Sequence, residues 1–126
     1  MSEIDWNAKK NRHIDRYEHN VKFRNSIDDK DEFADWKITI SFYAAIHFIE
    51  AVLCLKKISI ENHQDRGEVL RKYPEMFKYV EPLYRKLSRL AHKARYDEAI
   101  EIVPDEYKKA FNYLNDIESE LKSLIT

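Results

Sequence analysis

The stretch from Phe33 to about Lys57 constrains this chain more than any other, because read as a helix it keeps almost no polar stripe. Trp36, Ile40, Tyr43, Ala44, His47, Ala51 and Leu55 fall on one side, and Ile38, Phe42, Ala45, Ile49 and Val52 on the other. A helix apolar on all sides has to be covered on all sides. It is therefore predicted at the centre of a helical bundle, with one side meeting a second copy across a two-fold axis, so that a homodimer is expected. Thr39, Ser41, His47 and Glu50 interrupt the run, and Met1-Ser2-Glu3-Ile4-Asp5 is neither cationic nor apolar, so a cytoplasmic protein with no membrane role is expected.

One glycine, Gly67, and three prolines, Pro74, Pro82 and Pro104, are too few to punctuate the turns of a many-stranded fold. The expected class is all-α: a single domain over residues 1–126, built as an antiparallel, up-and-down bundle of four main helices plus a short one. The first helix runs from Ile4 to about Ile27, with Ile4, Ile14, Tyr17, Val21 and Phe23 forming a weakly apolar face. Asp28-Asp29-Lys30-Asp31-Glu32 supplies a turn and caps for the central helix. Ile58 to His63 reads as a loop and Gln64 to Tyr73 as the short helix. A further helix restarts at Pro74 and ends near Tyr96 on a stripe of Phe77, Val80, Tyr84, Leu87, Ala91 and Ala94; Pro82 either kinks it or marks its true start. Pro104 opens the last helix, where Tyr107, Phe111, Leu114, Ile117, Leu121 and Leu124 keep the helical period.

Polar groups that a bare bundle does not require occur at three places. His47 and Glu50 lie one turn apart inside the most apolar helix and must find partners, either as a structural pair bonded to another helix or as support for a site. Glu61-Asn62-His63-Gln64-Asp65-Arg66 opens the short helix, with Asn62 or Asp65 as a natural cap; it is either an exposed polar turn or, through His63 and Arg66, the wall of a groove. Arg85, Lys86, Arg89, His92, Lys93 and Arg95 come with no acidic residue among them, in a chain whose formal net charge is -1. Arg85, Arg89, His92 and Tyr96 share the face opposite the apolar stripe, with Arg95 at its edge. That strip either compensates the helix dipole or contacts phosphates, with Tyr96 able to stack on a base. Cys54, in an apolar run, reads as a buried reduced thiol. No Gly-rich phosphate loop, Cys cluster or His pair at i, i+4 is present, so neither a metal nor a cofactor is expected.

Phe42-Tyr43-Ala44-Ala45-Ile46-His47 in a long apolar helix, His63 opening a short one and Ala94-Arg95-Tyr96-Asp97 closing the next occur in an order that resembles the HEPN superfamily of small helical proteins. The resemblance covers roughly Phe33 to Ala99, and the closing segment lacks a proline that many such proteins carry before the Asp. It implies metal-independent ribonucleases of toxin-antitoxin and defence systems, whose motif is an Arg, four to six residues, then a His. Arg85 and His92, with six residues between them, fit it as candidate catalytic residues. The chemistry would be attack of a ribose 2′-OH on its phosphate, with histidine moving the proton and arginine stabilising the phosphoryl charge.

Three functions are consistent with this sequence. The favoured one is a non-catalytic HEPN-like module that associates with RNA or a nucleotide, or partners a nucleotidyltransferase. The others are the metal-independent endoribonuclease, and a helical dimerisation domain with no nucleic-acid role. Candidate binding residues are His47, Glu50, His63, Arg66, Arg89, Arg95 and Tyr96.

Overall fold

The computed structural model describes residues 3–27, 33–60, 62–96 and 104–125, apart from the side chains of residues 63, 64, 104 and 105. Among the described residues there are six helices and no strand: α1 (Trp6–Ser26), α2 (Ala34–Cys54), α3 (His63–Lys72), α4 (Pro74–Phe77), α5 (Val80–Tyr96) and α6 (Pro104–Ile125). The class is all-α.

The helix ends follow local chemistry. Asp5 caps α1 by accepting from the Ala8 amide at 3.0 Å, and Asn62 caps α3 by accepting from the Asp65 amide at 3.0 Å. The acidic caps expected at residues 28–32 lie outside the described residues. α2 ends in a Schellman turn: Ile58 N–H reaches the Leu53 carbonyl and Lys57 N–H the Cys54 carbonyl, both at 3.1 Å. Lys57 takes the left-handed conformation this turn needs, at φ 56°.

The single helix expected from Pro74 to Tyr96 is instead two, α4 and α5, so the short helices number two among the described residues. Pro82 is the reason. Within a continuous helix it would forfeit the bond to the Lys78 carbonyl and clash with it; as the third residue of α5 its missing N–H is not needed.

α2 packs against α1, α5 and α6, and α5 against α6 and α3. α5 and α6 run in opposite directions, since Lys93 meets Glu106 while Lys86 lies over the Tyr113 ring. Fifteen residues of α2 are buried, which makes it the spine of the core with Phe77, Leu87, Leu114, Ile117 and Leu121 around it. Each large apolar side chain taken fully out of water contributes roughly 1.5–3 kcal/mol. By length and composition α2 would also cross a membrane, but that is the composition of a core helix too, and 72% of its most apolar window is buried inside this fold.

One side of α2 stays open within the single chain. Trp36 is 60% exposed, and Tyr43 and Leu55 are also exposed. Lys37, the neighbour of Trp36, is buried instead, with its ammonium 4.3 Å from the centre of the Tyr107 ring. The helix is rotated so that a lysine with an aromatic face to cover it goes inside and the tryptophan goes out. On α1 only Tyr17 and Asn20 are buried, and Ile4 and Phe23 of its expected apolar face are exposed.

Candidate functional site

Lys9, His13 and Tyr17 recur at four-residue intervals on α1, which places them on the face that meets α2. Tyr17 packs edge-on against Phe48, with ring centres 4.7 Å apart, and its hydroxyl donates to Glu118 of α6. Burial and that carboxylate push the phenol well above its usual range. One turn earlier, His13 Nδ1 lies 3.0 Å from His47 Nδ1 and 3.4 Å from Glu50 Oε2. Glu50 Oε1 accepts from Arg66 Nη2 at 2.9 Å, and Arg66 Nη1 donates to the Tyr84 hydroxyl at 3.3 Å.

Helices α1, α2, α3 and α5 thus converge on one polar cluster beside an apolar core. Arg66 is 6% exposed, so it is no part of an exposed turn. Burial opposes its charge, but bonds to Tyr84 and Glu50 outweigh that and raise its pKa. Burial lowers the pKa of His13, helped by Lys9, Arg12 and Arg66 against the pull of Glu50. Burial, then His13, lowers that of His47. These shifts favour the neutral imidazoles, and a hydrogen bond across the Nδ1–Nδ1 contact requires one ring to carry its hydrogen on Nδ1 and the other on Nε2. A cavity of about 120 Å³ opens against the cluster, lined by Lys9, His13, Glu50, Ile58, Ser59 and Ile60. Donor atoms of His13, His47 and Glu50 lie within 4.8 Å of one another, close enough to share a cation.

A second polar surface runs along α5. Tyr84, Leu87, Ala91 and Ala94 are buried, while Arg85, Arg89, His92 and Tyr96 are exposed on the other side. Arg71 of α3 joins Arg85 and Arg89 around a shallow cleft, and both Arg71 and Arg85 reach Glu81, at 3.5 and 3.8 Å. His92 packs against Tyr96 with ring centres 4.9 Å apart and planes tilted by 46°. Arg95 donates to the Tyr43 hydroxyl at 3.0 Å and lies 5.3 Å from the centre of the Tyr96 ring. Arg85 leans back toward Glu81 and His92 forward onto Tyr96, so the two diverge along a separation of about 10 Å on the helix axis.

The sequence-derived candidates thus divide into groups. His47, Glu50 and Arg66 meet in the interior cluster; Arg85 and Arg89 flank the α3–α5 cleft; His92, Arg95 and Tyr96 gather at the end of α5. The His63 side chain lies outside the described ones. Tyr84 was expected only as part of the α5 apolar stripe, and His13 was not among the candidates, since it pairs with a residue 34 positions away and no local spacing announces it. The one available signal was the four-residue recurrence of Lys9, His13 and Tyr17. No family model, curated protein or solved structure matches the chain.

Proposed function

We propose that this chain is a HEPN-like, non-catalytic module that binds single-stranded RNA along the exposed face of α5. The observation that carries the reading is the strip itself: Arg85, Arg89, His92 and Tyr96 are all exposed on one face, in a chain of net charge -1. Guanidinium groups suit phosphates, and an exposed ring at the end of the strip suits stacking on a base. The resemblance carried by Phe42 to His47 and by Ala94 to Tyr96 supports the reading, with α1, α2, α5 and α6 as the four long helices of the HEPN-like bundle. Divergence of Arg85 and His92 favours binding over cleavage, because general acid–base work on one phosphate needs both groups within hydrogen-bond reach of it.

The test is fluorescence anisotropy with labelled single-stranded RNA in EDTA across a salt series. Arg85→Ala/Arg89→Ala weakens binding and lowers the salt slope by about 1.4, two phosphate contacts' worth on a single strand, and the RNA stays intact. RNA cleaved by the wild type and spared by His92→Ala would replace this reading with the endoribonuclease. Absence of binding at low salt would overturn both.

The exposed apolar hollow formed by Phe23, Ile27, Phe33 and Trp36, where α1 hands over to α2, favours a homodimer as the state in which the module works.

A further inference from the structure

We propose that His13, His47 and Glu50 form a binding site for a divalent first-row transition-metal ion, of which Zn²⁺ is the best match. A tetrahedral ion with bonds of about 2.0–2.1 Å holds its ligand atoms roughly 3.3 Å apart. Two edges of the cluster, 3.0 Å from His13 Nδ1 to His47 Nδ1 and 3.4 Å from His13 Nδ1 to Glu50 Oε2, bracket that spacing. Two helices supply the ligands. His47 and Glu50 are three residues apart on α2, which brings both to one face, and His13 answers from α1.

The chemistry of the donors selects the ion. Two imidazoles and one carboxylate oxygen are too few oxygens for Ca²⁺ or Mg²⁺, and they suit Zn²⁺, Co²⁺ or Ni²⁺. Arg66 engages Oε1 of Glu50 and leaves Oε2 toward the histidines, so it acts as the outer partner that fixes the carboxylate. The cavity at His13 and Glu50, with Ser59 on its wall, gives an entry path and room for water as the fourth ligand. Lys9 and Arg12, whose charges act on His13, and Arg66 all repel a cation, which sets the affinity below that of an all-carboxylate-and-histidine cage.

The site is independent of the RNA-binding strip, and its test uses the metal alone. Co²⁺ titrated into the intact protein gives intense visible d–d bands that saturate at one equivalent and that Zn²⁺ displaces. His13→Gln and Glu50→Gln, each checked for helicity by circular dichroism, abolish the bands, and Zn²⁺ no longer raises the melting temperature. In the wild type, which needs no substitution, imidazole nitrogen resonances of His13 and His47 shift with Zn²⁺ while those of His19 and His92 stay. Bands that survive both variants, a titration that never saturates, or nitrogen shifts confined to His19 and His92 would each overturn the proposal.

Discussion

Replacing Arg66 with leucine probes the interior cluster at its most demanding point. Arg66 supplies the 2.9 Å bond to Glu50 and the 3.3 Å bond to Tyr84, and its side chain is 7% exposed against 13% for Glu50. Removing one partner of a buried ion pair costs about 3–5 kcal/mol, because the remaining charge stays desolvated. Glu50 keeps some water and the contact to His13, so the lower end applies, about 3 kcal/mol. For a chain of this size that is a fall in melting temperature of about 12 °C. Glu50→Leu should cost a similar amount by stranding the guanidinium. The double variant, which leaves no bare charge, should be no less stable than either single, giving a coupling of about 3 kcal/mol. Urea unfolding in EDTA, followed by circular dichroism, measures all four corners of the cycle. Costs that simply add, or singles that each lose under about 1 kcal/mol, would refute the claim that the pair is buried and coupled.

Two other outcomes follow from the same geometry. Burial holds His13 and His47 below the value near 6.5 at which the unfolded chain titrates, with Glu50 opposing and Lys9, Arg12, Arg16 and Arg66 lowering one or both further. Below that pH the unfolded state binds protons the folded state refuses, so stability should fall as pH drops from 7 toward 5, and a His13→Asn/His47→Asn variant should lose less; an equal acid slope in the variant would contradict this. Trp36→Glu places a charge in the exposed apolar hollow and should shift a dimer toward monomer in light scattering at micromolar concentration, with its helicity kept; an unchanged mass would remove this hollow from the interface.

Much of the helix plan is legible from period and punctuation. Asn62 caps α3 and Pro104 opens α6 as their residue types require, and Leu114, Ile117 and Leu121 are buried as their spacing demands. Rotation of α2 was not legible. Trp36 and Lys37 are adjacent in a helix apolar on every side, and which of them enters the core depends on what lies across the interface, the Tyr107 ring included. Half of the interior cluster was legible: a histidine and a carboxylate one turn apart in an apolar helix must be satisfied, which singles out His47 and Glu50. Their partners are set by how α1 and α3 lie against α2, and periodicity carries no information about that.

The four-residue spacing of Lys9, His13 and Tyr17 also fixes how far α1 can slide along α2. An apolar seam tolerates a shift of one turn, about 5.4 Å, because one aliphatic contact replaces another at little cost. Here such a shift would bring Lys9 or Tyr17 opposite Glu50, take His13 away from His47, and part the Tyr17 hydroxyl from Glu118. Each displaced group would be left without its partner in a half-dry interface, so the wrong alignments are separated from the right one by several unmet hydrogen bonds at once. The cluster works as a keyed joint: a hairpin whose core residues are largely interchangeable can close in one position only.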